Sequence, residues 1–154
     1  MRVLVLGYGN PARRDDGLGP RLAEALGLRA LPGVDVESAC QLHAGDAAVL
    51  AHHDVVVFVD ADRSCSDPYQ FGPVHASNEP RLAADALAPE TLLSIAWKYL
   101  EAMPEAYLLA IRGEDFDGPG EGLSDRARRN LSAALDFVEG FLEERMSSLH
   151  RATT

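Results

Sequence analysis

The chain alternates between short apolar strands and amphipathic helices, and this alternation limits its possible folds more than any other feature. Apolar runs at residues 2–6 and 54–59 predict buried strands. The sequence predicts three more strands, at residues 34–37, 74–77 and 106–111, and helices at residues 18–28, 45–52, 89–102 and 124–147. Successive strand–helix–strand units imply an α/β protein with a mostly parallel sheet and helices on both faces.

Length and charge exclude several classes of protein. The 154 residues, of which 47% are hydrophobic, fit one domain at residues 1–147, followed by a flexible tail at 148–154. A net charge of -10 argues against nucleic acid or an anionic membrane as the main partner. No apolar run approaches the ~18 residues of a membrane span, and Cys40 and Cys65 are too far apart for a CxxC motif. We therefore expect a soluble, cytoplasmic protein.

Acidic residues follow two of the predicted strands. Asp15 and Asp16 come after the first strand and its glycine-rich turn, and Asp60 and Asp62 end the strand at residues 54–59. Ligands of open α/β sheets bind at the carboxyl ends of the strands, and neighbouring strands lie ~5 Å apart. Two carboxylates in such a cleft can bind a cation, or can share one proton and activate a water molecule. This pattern predicts an acidic site that contains Asp16 and Asp60.

A nucleotide site is a competing interpretation of the same turn. Residues 7–12, GYGNPA, fit a loose dinucleotide-binding pattern, and Asp35 or Glu37 would take the position of the ribose ligand. However, Pro11 removes a hydrogen-bond donor, and the two following carboxylates would repel phosphate groups. Nucleotide binding therefore stays an alternative.

Three segments of the chain resemble the hydrogenase maturation proteases. These endopeptidases trim the C-terminal extension of nickel-iron hydrogenase large subunits. The segments, in order, are LVLGYGNPARRDDGLGPRLAEAL at 4–26, VVVFVDAD at 55–62 and AYLLAIRGEDFDGPGEGLSDRARRNLSAALDFV at 106–138. The most specific element is GxGNxxxxDDGxG. The resemblance implies a three-layer α/β/α sandwich of the phosphorylase/hydrolase-like type, with a mixed, mainly parallel sheet.

The resemblance also implies a site that contacts nickel already inserted into the substrate. In the family two acidic residues and one histidine bind the metal. The acidic positions fall on Asp16 and Asp60, which are expected to be both catalytic and metal-binding, and the histidine position falls on Asp85. Because imidazole suits nickel better than a carboxylate does, His75 or His43 is an alternative third ligand.

The implied function is that of an endopeptidase which cuts a nickel-loaded large-subunit precursor, with nickel supplied by the substrate. Both a metal-dependent and an aspartic-type mechanism are open, and a non-cleaving module that binds or escorts the nickel subunit is an alternative. Gly9, Asn10 and His43 are expected to contact the substrate. We also expect a monomer, and a docking or gating role for the acidic loop at residues 113–121.

Overall fold

A computed structural model describes residues 1–77 and 87–152, and within them five strands form a single sheet with the order β2-β1-β3-β5-β4. The strands are β1 (Val3–Tyr8), β2 (Val34–Ala39), β3 (Val55–Asp62), β4 (Tyr69–Pro73) and β5 (Glu105–Arg112). β1 is parallel to β2 and β3, and β3 is parallel to β5, whereas β4 pairs with β5 in the antiparallel direction. The sheet is therefore mixed and mainly parallel, as predicted.

Helices cover both faces of the sheet. They are α1 (Leu18–Gly27), α2 (Asp46–Leu50), α3 (Pro89–Leu100) and α4 (Asp125–Ala152). One apolar core joins the sheet to α1 and α4, and a second joins its other face to α2 and α3. This arrangement confirms the α/β/α sandwich. Among the described residues, no helix combines the length and the apolar character that crossing a membrane requires.

The last helix is longer than the sequence predicts. α4 continues to Ala152, five residues beyond the predicted end at Ser147, and so includes most of the segment predicted as a flexible tail. Thr153 and Thr154 lie outside the described residues. The prediction of a single domain at residues 1–147 stays a prediction.

The prediction of a strand at residues 74–77 is wrong, because the strand lies just before it, in the segment predicted to be turns. The aromatic rings of this strand explain the difference. Tyr69 and Phe71 alternate along β4, and the centroid of each ring lies 4.9 Å from that of Phe137 on α4. Packing against a distant helix therefore stabilises a strand whose local sequence is rich in turn-forming residues.

The start of α1 packs directly on the end of β1, and glycines permit this close approach. A Cβ atom on Gly7 would lie 2.1 Å from the carbonyl oxygen of Gly19, and one on Gly19 would lie 2.4 Å from the carbonyl oxygen of Tyr8. No side chain fits between backbones at these distances. The contact fixes the short turn that joins β1 to α1, where the first acidic pair lies.

We expect Gly19→Ala to destabilise the protein. The added methyl group meets backbone atoms, which cannot move aside cheaply, so the cost should reach or exceed the upper end of the roughly 1–3 kcal/mol typical of overpacking. Gly140→Ala is the matched control, because nothing lies within 4 Å of a Cβ atom there. This control should gain up to about 1 kcal/mol from helix propensity. Urea unfolding measures both changes, and equal stabilities would contradict the packing described here.

Candidate functional site

The first part of the candidate site lies where β1 and β3 end side by side. Gly7 is in register with Val59, so the next residues, Tyr8 and Asp60, are neighbours on the same face of the sheet. The Asp60 carboxylate accepts a hydrogen bond from the N–H of Ala61 at 2.8 Å, and Tyr8 lies near it on the neighbouring strand. Asp60 therefore lies at the carboxyl edge of the sheet, as the sequence predicts.

The second carboxylate, Asp16, lies in a short 3-10 helix at Arg14–Gly17, between β1 and α1. Its Oδ2 atom accepts the N–H of Asn10 at 2.8 Å. Gly9 has a φ of +141°, and a Cβ atom there would lie 2.0 Å from the carbonyl oxygen of Asp16. The glycine turn thus wraps around the residue that carries the carboxylate.

Asp16 lies close enough to Asp60 for its negative charge to act on the Asp60 carboxylate. Burial is the main cause that raises the pKa of Asp60, and the negative charges of Asp16 and Asp62 raise it further. The N–H of Ala61 and the nearby hydroxyl group of Tyr8 act in the opposite direction, and the net result is a pKa of about 6. Asp60 can therefore exchange a proton near neutral pH, which is useful in general acid–base catalysis.

Asp15 has a different role from its neighbour. It is fully buried, and its carboxylate accepts four hydrogen bonds. The donors are the N–H groups of Glu114 (2.9 Å), Asp115 (3.0 Å) and Ser124 (2.8 Å) and the hydroxyl group of Ser124 (2.7 Å). Burial alone would raise the pKa of Asp15, but these bonds outweigh it and hold the pKa below its usual value. Asp15 therefore acts as a structural clamp: its carboxylate joins the turn between β1 and α1 to the loop that follows β5.

The acidic loop at residues 113–121 is fastened to the turn that carries Asp16. The N–H of Arg14 donates to the carbonyl oxygen of Gly120 at 3.1 Å, and the N–H of Asp15 donates to that of Asp115 at 2.9 Å. The Arg14 guanidinium group also pairs with the Asp115 carboxylate at 3.2 Å. The loop therefore supports the site. A docking or gating role for it stays a prediction.

A third metal ligand beside Asp16 and Asp60 stays a prediction. Asp85 lies outside the described residues. His75 is exposed in an open groove of about 1210 Å³ next to Trp97 and Lys98, and neither Asp16 nor Asp60 lines this groove. Across residues 1–77 and 87–152, no group of three or more histidine, cysteine, aspartate or glutamate side chains could hold a metal ion.

Two of the three predicted substrate contacts lie in the turn that holds Asp16, and the third precedes α2. Gly9 and Asn10 belong to the turn that holds Asp16. The Asn10 side chain also accepts the N–H of Ala12 at 3.0 Å, which stabilises the turn itself. His43 is exposed, and its backbone N–H donates to the carboxylate of Asp46, at the start of α2, at 2.8 Å. That these residues contact a substrate stays a prediction.

The structure argues against the nucleotide site. Asp35, a predicted ribose ligand, pairs with Arg2 at 2.9 Å and with Nε2 of His53 at 2.7 Å. The N–H of Asn10 in the glycine turn, which a phosphate would need, already donates to the Asp16 carboxylate. One of the two predicted ribose ligands and the phosphate donor are therefore engaged within the protein, whereas Glu37, the other predicted ribose ligand, is exposed.

The fold is similar to that of several solved hydrogenase maturation enzymes. The [NiFe] hydrogenase maturation protease HycI from Thermococcus kodakarensis KOD1 matches with a TM-score of 0.72 and 20% identity, over 92% of each chain. Hydrogenase 2 maturation peptidase from Thaumarchaeota archaeon SCGC_AB-539-E09 matches with a TM-score of 0.67 and 25% identity, over 92% of this chain and 98% of that one. The hydrogenase maturating endopeptidase HybD from E. coli matches with a TM-score of 0.66 and 25% identity, over 94% of each chain.

No family model and no curated protein matches the sequence. The structural matches nevertheless cover more than nine-tenths of the chain, and several of the matched proteins are hydrogenase maturation proteases. The resemblance that the sequence indicated is therefore confirmed. The chain has the fold of these endopeptidases, with two acidic side chains at the carboxyl edge of its sheet.

Substitution of the two adjacent aspartates should lower the free energy of unfolding by different amounts. We expect Asp15→Asn to cost about 2–4 kcal/mol at pH 7, because an amide group would leave buried N–H donors without an acceptor. Asp16→Asn should cost less than about 1 kcal/mol, since its amide oxygen can still accept the N–H of Asn10. Chemical unfolding at several pH values measures both.

The pH dependence provides a second check on Asp15. A lowered native-state pKa stabilises the fold above the unfolded value of 3.8, and this contribution disappears as the pH falls through the native value. The difference in the free energy of unfolding between wild type and Asp15→Asn should therefore become smaller in acid. If this difference does not change with pH, or if Asp15→Asn and Asp16→Asn lose the same free energy of unfolding at pH 7, the stabilising role of Asp15 is contradicted.

Proposed function

We propose that the protein is an endopeptidase that removes the C-terminal extension of a nickel-iron hydrogenase large-subunit precursor after nickel insertion. The observation that carries this proposal is the juxtaposition of Asp16 and Asp60 at the carboxyl edge of the sheet, where the charge of one raises the pKa of the other. Similarity to solved maturation endopeptidases over more than nine-tenths of the chain supports it.

We infer that the carboxylate pair performs the hydrolysis. Asp60 takes a proton from a water molecule as the water oxygen attacks the carbonyl carbon of the scissile peptide bond. The carbon–nitrogen bond then breaks, and the leaving amine receives a proton from the carboxyl group. A pKa of about 6 suits both steps, because Asp60 is mostly ionised at neutral pH and still able to return a proton.

Nickel enters this scheme as part of the substrate. Asp16 and Asp60 offer only carboxylate oxygens, which prefer harder cations, whereas nickel suits imidazole. Two oxygen ligands on the protein would complete the coordination of a nickel ion that the precursor already holds, and would thereby align the scissile bond with the carboxylates. A precursor without nickel lacks that binding energy, so assembly and cleavage are coupled.

A non-cleaving partner of the nickel subunit is the second candidate. It is favoured by the absence of a histidine beside Asp16 and Asp60 in the part of the chain that the structure describes. Such a module would bind the nickel-loaded precursor but release no peptide.

Intact mass of a large-subunit precursor before and after incubation tests the proposal. We expect wild-type protein to release a C-terminal peptide from the nickel-loaded precursor and not from the nickel-free form. Asp16→Asn and Asp60→Asn should each lower the rate by at least about 100-fold, since each removes a carboxylate from the acid–base pair. Asp136→Asn, an exposed substitution on α4, is the control and should cleave at the wild-type rate.

The possible outcomes distinguish the candidates. Equal cleavage of both precursor forms would refute the coupling to nickel. Wild-type rates in either site variant would remove that carboxylate from the mechanism. Binding of the loaded precursor without cleavage, while a homologous protease cleaves it in parallel, would favour the escort module.

A further inference from the structure

An open groove of about 470 Å³ lies between α1 and the start of α4, and two arginines line it. Arg21 is the fourth residue of α1, and Arg128 is the fourth residue of α4. These helices follow the parallel strands β1 and β5, so both begin at the carboxyl edge of the sheet. The two arginines therefore lie at the end of the molecule that carries Asp16 and Asp60.

The two arginines have no acidic partner. Neither guanidinium group forms an ion pair or a hydrogen bond with another of the described residues. Six other arginines of the same ranges do pair with carboxylates, and acidic residues outnumber basic ones by 24 to 14. The Nε atom of Arg21 is also shielded from solvent and lacks an acceptor. A buried donor of this kind costs free energy, which an incoming acceptor would recover.

The rest of the groove is mainly apolar. Leu28, at the end of α1, is 84% exposed, and Ala25, Leu123 and Leu131 lie in the same lining. From Arg21 to Leu28 the helix rises about 10 Å, which matches about three residues of extended chain. A small anion would reach the arginines and leave Leu28 in water. An occupant that fits the whole groove is a peptide segment with both a carboxylate and an apolar side chain.

The charge of the groove is complementary to such a segment. Two arginines and Glu24, which also lines the groove, give it a formal charge of +1, whereas the whole chain has a net charge of -10. The N-terminal ends of α1 and α4 add partial positive charge. Guanidinium groups bind carboxylates with two parallel hydrogen bonds. An acidic segment is therefore attracted here and repelled by most of the remaining surface, which favours one docking orientation.

We propose that this groove is a docking site for a short segment of the large-subunit precursor, in which a carboxylate pairs with Arg21 and Arg128 and an apolar side chain packs on Leu28. The proposal rests on the proposed function for the identity of the partner. The groove contributes to binding of the precursor and takes no part in breaking the peptide bond.

The test uses the double variant Arg21→Gln/Arg128→Gln and the control Arg129→Gln. Arg129 is exposed, removes the same charge from α4, and does not line the groove. With nickel-loaded precursor, the double variant should raise KM by about 10-fold or more and change kcat less than twofold, because binding is lost and the chemistry is kept. The control should change both less than twofold. A wild-type KM in the double variant, or an equal rise in the control, would overturn the proposal.

Leu28→Ser tests the apolar half of the groove. We expect it to raise KM by about threefold or more, since the partner loses an apolar contact. An unchanged KM in this variant, together with a raised KM in the double variant, would assign the groove to a bare carboxylate and overturn the peptide segment proposed here.

A binding measurement separates this proposal from the proposed function. In the Asp60→Asn background, the double substitution at Arg21 and Arg128 should weaken binding of immobilised nickel-loaded precursor by about 10-fold, and Arg129→Gln should not. If this result is obtained while wild-type protein cleaves no precursor, the endopeptidase function fails and the docking site stands. Cleavage with unchanged binding would overturn the docking site alone, and a precursor that is neither bound nor cleaved would overturn both.

Discussion

The architecture of the site depends on one buried negative charge. Asp15 has no exposure to solvent, and a bare carboxylate there would cost several kcal/mol. Four hydrogen bonds compensate for this cost, and they come from both ends of the loop that follows β5. The clamp therefore joins that loop and the start of α4 to the turn between β1 and α1. Backbone hydrogen bonds from Arg14 and Asp15 to the same loop act with it to hold the turn that presents the next residue, Asp16.

The two adjacent aspartates illustrate how one short turn serves stability and chemistry. Asp15 turns inward to the donors and cannot take part in catalysis, because its oxygens are fully occupied. Asp16 is only partly buried, and a single backbone N–H holds it near the end of β3. Its negative charge adds to the burial that raises the pKa of Asp60. Such a pair suits peptide hydrolysis and repels phosphate groups.

Hydrophobic periodicity and residue type predicted the elements whose formation depends on neighbouring residues in the sequence. The buried strands, the capping of α4 by Ser124 and the two acidic strand ends follow from periodicity and residue type. The roles of Asp15 and Asp16 could not be told apart, because the donors to Asp15 lie 99 to 109 residues away in the sequence. β4 was missed for the same reason, since its rings pack on α4. The proposed third ligand stays a prediction.

The proposed site depends on an electrostatic interaction in which the charge of Asp16 raises the pKa of Asp60. The most direct test is an NMR titration of the Asp60 carboxyl carbon in wild type and in Asp16→Asn, with Asp136→Asn as the control. We expect a wild-type midpoint near 6, a lower midpoint in Asp16→Asn because a negative charge is removed, and no change in the control. A wild-type midpoint near the ordinary value of 3.8, unaffected by Asp16, would contradict it.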